Sequence, residues 1–108
     1  MHVEIEQDKH HEHTMVLVTQ LVRDTMEVLE QHGLFSAEKN TDIAKDLLFR
    51  ICAVFDGSSF PGRLGGEEIS PFVGFYLEHQ TDQLLVPENG SSMHASVQDL
   101  VDAYHSSK

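Results

Sequence analysis

L-L-F-R-I-C-A-V-F-D-G-S-S-F-P-G-R-L-G-G, Leu47 to Gly66, divides the chain into two kinds of sequence. In its first half, Leu47, Leu48, Ile51, Cys52, Val54 and Phe55 are apolar. Together with Ile43 and Ala44 they cover more than half of a helix circumference, the pattern of a helix packed against more than one neighbour. Ile51 and Phe55 are therefore expected to touch both other helices. Asp56-Gly57 ends that helix, and residues 57–66 hold four of the seven glycines and one of the three prolines, a loop composition.

Upstream, the helical period is plain from Thr14 to His32: Met15, Val18, Val22, Met26 and Leu29 recur at intervals of three and four. Gly33 suits a left-handed C-terminal position, with Leu34 expected against Leu29 in a Schellman ending. A short link, Ser36 to Asn40, leads to the second helix, which Ser36 or Thr41 would cap. A link this short implies an antiparallel helical hairpin over residues 14–56. Residues 1–13 read as a polar, histidine-rich arm; Val3 and Ile5 alternate with Glu4 and Glu6, a strand signal over very few residues.

Downstream, Phe72–Leu77 (F-V-G-F-Y-L) reads as a strand with Phe72 and Tyr76 on one face and Val73, Phe75 and Leu77 on the other. Gln83–Val86 reads as a second strand, stopped by Pro87. Met93, Val97, Leu100, Val101 and Tyr104 form the stripe of a closing helix, capped by Ser92 or by Ser96 with Asp99 three residues on. The expectation is one α+β domain over residues 1–108: N-terminal antiparallel helical hairpin, a small antiparallel sheet of two or three strands within residues 67–108, and a C-terminal helix. An all-α fold is the alternative if Phe72–Leu77 is helical.

The chain carries 7 basic and 18 acidic residues, a net charge of −11, with eight histidines. That balance argues against nucleic acid and anionic membranes as ligands and favours a partner that is cationic or carries basic patches. The single Cys52 excludes an internal disulfide, and it lies on the apolar face of its helix, where a thiol is a small hydrophobe. No apolar run approaches the roughly 20 residues of a membrane span. The N-terminal M-H-V-E-I-E-Q-D-K lacks a basic region followed by an apolar one, so a cytoplasmic protein without signal peptide is expected.

Three features carry candidate chemistry. His2, His10, His11 and His13 offer imidazoles to zinc, nickel or copper, although no spacing among them matches H-E-x-x-H or C-x-x-C. The loop Ser58, Ser59, Phe60 and Arg63 is an exposed surface that a partner could read. It matches no phosphate-binding glycine pattern and follows a helix rather than preceding one. Ser58, Ser59, His79, His94, Asp56 and Asp82 supply the residue types of a small hydrolytic site, without a G-x-S-x-G elbow.

The sequence thus points away from an enzyme and from any cofactor, toward a small acidic interaction or regulatory protein that meets a basic partner. Metal binding through the histidines, or a small enzyme centred near residues 56–66, are the alternatives. The two-faced Phe72–Leu77 run adds a further expectation, a homodimer. Helices cover one side of such a strand, and a second copy related by two-fold symmetry covers the other.

Overall fold

The structure is a computed structural model and describes residues 2–58, 62–88 and 92–107. In chain order the elements are β1 (His2–Ile5), α1 (Gln7–His32), α2 (Ala37–Phe55), β2 (Arg63–Leu64), β3 (Glu67–Glu68), β4 (Gln83–Val86) and α3 (Met93–Ser106). The three helices touch pairwise, and among the described residues α1 is the helix against the sheet, through β4. The fold is α+β and mostly helical.

The core follows from a single spacing. Val18, Val22 and Met26 on α1, Ala44, Leu48 and Cys52 on α2, and Met93, Val97 and Val101 on α3 are buried together. Each helix contributes three residues four apart, the ridge that packs into a neighbour's groove, and the small side chains among them allow close approach. Ile51, Leu17, Leu21, Leu100 and Tyr104 pack around this centre. Phe55 does not: it is half exposed, because the buried ridge of α2 runs through Ala44, Leu48 and Cys52. The wide apolar surface of α2 is covered only in part, and Leu47, Phe49 and Val54 also remain exposed.

Helix ends obey local chemistry. Ser36 caps α2, its hydroxyl accepting from the Lys39 N–H at 3.1 Å. Thr41 lies inside the helix and donates to the Ala37 carbonyl. Gly33 closes α1 in the left-handed region (φ 62°), and its N–H donates to the Leu29 carbonyl at 3.2 Å. That single bond makes the simpler left-handed ending rather than the Schellman form, and Leu34 points into solvent. α3 begins at Ser92 as expected, but no side-chain bond from Ser92 caps it, and Ser96 lies within the helix.

Three expectations are corrected. Of the arm, residues 2–5 form β1 and residues 7–13 form the first turns of α1, which starts at Gln7 with Glu6 capping it through the Lys9 N–H. The sheet is parallel rather than antiparallel: β1 pairs with β4 in the register His2↔Gln83, Val3↔Leu84, Glu4↔Leu85, Ile5↔Val86. Phe72–Leu77 forms no regular strand. Only Phe75 bridges antiparallel to Leu85, exchanging both backbone bonds at 3.0 and 2.7 Å. The ladder does not continue because the next bonded pair would set Val73 opposite Pro87, which has no N–H to offer, and the Val73 carbonyl accepts from the His10 ring instead. β1 pairs along the other edge of β4, where the Val86 carbonyl accepts from the Glu6 N–H.

Within the glycine-rich loop, β2 and β3 form a two-residue hairpin with Arg63 opposite Glu68. Gly65 and Gly66 have φ of 60° and 83°, the pair of positive values that a type I′ turn demands. The molecule is flat, 46 × 37 × 20 Å, with a radius of gyration of 15.9 Å. A compact chain of this length would have about 13 Å.

Candidate functional site

α1 sorts the N-terminal histidines by its own geometry. His10 is 1% exposed and lies beneath the 72–77 run. Its Nε2–H donates to the Val73 carbonyl at 2.6 Å, and the Phe75 ring sits 5.2 Å away, tilted by 57°. Thr14, one turn on, is buried beside it and donates to the His10 carbonyl at 2.9 Å. His13 donates from Nδ1 to the Lys9 carbonyl at 2.8 Å and stacks obliquely on the other side of Phe75. His11 is exposed on α1, and His2 is on β1. Among the described residues no group of three or more His, Cys, Asp or Glu side chains is placed to hold a metal ion. The histidines are therefore not gathered; His10 and His13 bracket Phe75 and fasten the 72–77 run to α1.

The second cluster joins the end of α2 to the start of α3. Asp56, just past α2, has a side chain wholly removed from solvent. Its Oδ2 accepts from the His94 Nδ1–H at 2.5 Å and from the His94 backbone N–H at 3.3 Å, while Oδ1 accepts from the Ser58 N–H at 3.0 Å. Asp56 thus caps α3 from outside, doing what Ser92 does not, with its negative charge at the positive end of the helix dipole. Burial pushes the carboxyl pKa up, but the bonds from His94 and Ser58 outweigh it and hold the pKa below the usual value. Phe49 meets the His94 ring edge-on at 5.2 Å.

The folded chain therefore assembles three residue types of a hydrolytic triad: Asp56, Ser58 and His94. The geometry is not that of a relay. Asp56 and Ser58 both address Nδ1, with Ser58 Oγ at 3.4 Å, whereas a relay needs carboxylate and hydroxyl on opposite ring nitrogens. What the cluster does is cap and fasten two helices. His79 lies exposed in a separate turn. Cys52, fully buried, has its thiol pKa pushed up to about 11 by burial and then by the Asp56 charge, which leaves it protonated and unreactive.

Of the candidate loop residues, Ser59 and Phe60 lie outside the described residues. Ser58 is exposed, and its N–H is turned to Asp56. Arg63 pairs with Glu68 across the small hairpin at 3.0 Å, so the charge offered to an anion is already opposed.

The sheet also leaves apolar side chains exposed. Register places His2, Glu4, Gln83 and Leu85 on one face and Val3, Ile5, Leu84 and Val86 on the other. Glu4 pairs with Lys9 of α1 at 3.5 Å, and Glu4, Lys9, His13, Phe75 and Leu85 line one groove, so the first face is the one α1 covers. The second face is wholly apolar. Val3 and Ile5 are 57% and 64% exposed, and Tyr76, adjacent to the Phe75 bridge, is 62% exposed. Leu84 lies across Gly74, where even a methyl group would come within 2.8 Å of its Cδ1. Grooves also lie elsewhere. One, of about 580 Å³, runs along α1 at Val16, Leu17 and Phe75. Another, of about 350 Å³, lies at the end of the helices beside Met26, Phe35, Asn40 and Tyr104. In the latter the buried Asn40 Oδ1 has no hydrogen-bond partner among the described residues.

Among the described residues no helix is long and apolar enough to cross a membrane. Sequence reasoning singled out the Phe72–Leu77 run but missed the apolar face it joins. The signal for that face was the Val3/Ile5 alternation, which becomes readable only when paired with Leu84 and Val86. Comparison with known protein families, characterised proteins and solved structures finds no match for this chain.

Proposed function

We propose that this chain is a non-enzymatic interaction module that works by contact with another protein chain. The observation that carries the reading is area. The chain exposes 7394 Å², whereas a compact monomer of 12.2 kDa exposes about 6,000 Å². Roughly 1,300 Å² is therefore left open beyond what a self-sufficient monomer shows, which exceeds the ~800 Å² that each partner of a standard protein interface buries. The flat outline and the apolar outer face of the sheet agree with this: such patches on soluble proteins mark interaction sites. The three polar clusters, at His10, Asp56 and Arg63, are internal fastenings, and none presents a nucleophile and a base in working geometry.

A basic partner remains supported by the net charge of −11 alone. The apolar face contributes no carboxylate to such a contact, so acidic groups would act at its rim and on the rate of encounter. The reading is tested by the size of the native protein. In unfractionated extract of its own source, at its natural abundance, the chain should elute in gel filtration well above the 12.2 kDa of one copy. Elution as a free single chain there would overturn the reading.

A further inference from the structure

We propose that the groove at the end of the helices binds a small organic cation, a primary ammonium on an apolar body, with the Asn40 side-chain oxygen accepting from the ammonium. This site lies apart from the sheet and stands independently of any contact with another chain.

The groove forms where one end of each helix converges. The last turn of α1 enters through Glu30 and Gly33, the amino end of α2 through Ala37 and Asn40, and the last turn of α3 through Tyr104 and His105. Its volume of about 350 Å³ falls in the range of small-molecule sites, and Met26, Phe35 and Tyr104 give it the apolar and aromatic wall of such sites. One polar atom breaks that wall. Asn40 is 4% exposed, and its Oδ1 has no hydrogen-bond partner among the described residues. A buried acceptor without a donor is costly, whereas a single polar group in an apolar pocket is what orients a bound molecule.

The chemistry of the ligand follows from what surrounds that atom. A carbonyl oxygen takes only a donor. The carboxyl ends of α1 and α3 both meet at the groove, each the negative pole of a helix dipole, and Glu30 adds a carboxylate. The amino end of α2 opposes them with one positive pole, already capped by Ser36. A net charge of −11 draws cations to the whole surface, and the ring types of Phe35 and Tyr104 attract an ammonium through their π faces. Oδ1 is shut off from water, so the ammonium reaches it by moving a wall. Phe35 is that wall: it lies in the link between α1 and α2, is half exposed, and is no part of the buried core.

The test is titration of the full chain with phenethylamine, followed by amide NMR, beside two probes of similar shape, neutral phenethyl alcohol and anionic hydrocinnamate. The amine should bind with a Kd on the order of 1 mM and shift the Asn40 side-chain amide and the backbone amides of Phe35 and Tyr104. The alcohol should bind roughly ten-fold more weakly, and hydrocinnamate not at all. Asn40→Ala should fold as the wild type does by circular dichroism and bind the amine roughly 10- to 100-fold more weakly. Val16→Glu, on the separate α1 groove, should leave amine binding unchanged.

Absence of these shifts at amine concentrations on the order of 10 mM overturns the proposal. So does hydrocinnamate binding as tightly as the amine, or amine binding that Asn40→Ala leaves intact. None of these results bears on the gel-filtration test of the interaction reading, so the two fail separately.

Discussion

The helical part and the sheet part of this chain meet the same requirement, burial of apolar side chains, with different completeness. Each helix has two helical neighbours, and nine side chains spaced four apart close a core from three directions. The sheet has one neighbour, α1, so only its inner face is closed, by Phe75 and Leu85 against His10 and His13. A helix presents one apolar stripe, which a neighbour can cover, whereas a strand apolar on both sides needs two covers. With three helices already occupied with one another, none among the described residues is left for the outer face. The difference teaches that elements with one apolar stripe close a core with fewer neighbours than a strand apolar on both sides.

That comparison can be broken by mutation. Leu48→Ala, at the centre of the helical core, should lower the unfolding free energy by about 3 kcal/mol in urea titrations followed by circular dichroism. Ile5→Thr on the outer sheet face should change the stability of the dilute chain far less. Equal losses for the two variants would mean that the outer face is buried within a single copy.

Asp56→Ala removes the cap that α3 borrows from the end of α2 and leaves the partly buried His94 and the exposed Ser58 donors without their acceptor. We expect a loss of about 2 kcal/mol. The pH dependence has a definite sign. Because the folded-state pKa of Asp56 is held below its ordinary value of 3.8, its contribution is present above pH ~4 and is lost as pH falls through the folded value. Acid titrations of the wild type and Asp56→Ala should therefore converge at the acid end. Parallel curves would show that the carboxylate does not stabilise the fold.

His10→Phe keeps a ring under the 72–77 run but withdraws the donor from the Val73 carbonyl, a loss of about 1–2 kcal/mol. Amide exchange should quicken at Phe75 and Leu85, the bridge that this contact positions, and hardly change in α2 or α3. Uniform quickening would make His10 part of the helical core rather than of the sheet's fastening.

The smallest effect has the opposite sign. Asn40→Ala removes a buried amide oxygen without a partner and favours the helix, and should raise stability by up to about 1 kcal/mol in thermal unfolding. A loss instead would show that the amide is bonded in solution, which would mark a flaw in the account of the helical part.

The helices were legible because their signals are local. The 18–22–26, 44–48–52 and 93–97–101 spacings, Gly33 as a stop and Ser36 as a cap can be read within a few residues and were recovered in the fold. Gln83–Val86 was legible for the same reason. The Gly65-Gly66 hairpin was also written locally, as a two-residue turn, and passed as plain loop because each flanking strand has only two residues. Residues 1–13 were misread because their apolar alternation is too short to count alone, and its meaning lies in a parallel partner some eighty residues away.

By itself, the sequence determined an acidic chain with two helices, a loop, extended segments and a closing helix, since period, capping and turn chemistry act over one or two turns of chain. Only the tertiary structure decided the parallel pairing of β1 with β4, the burial of His10 beneath Val73 and Phe75, and the capping of α3 by Asp56. Tertiary contacts also reduced Phe72–Leu77 from a strand to one bridge and left Val3, Ile5 and Tyr76 exposed. Those outcomes depend on which distant backbone groups satisfy one another first, and no local pattern encodes that competition.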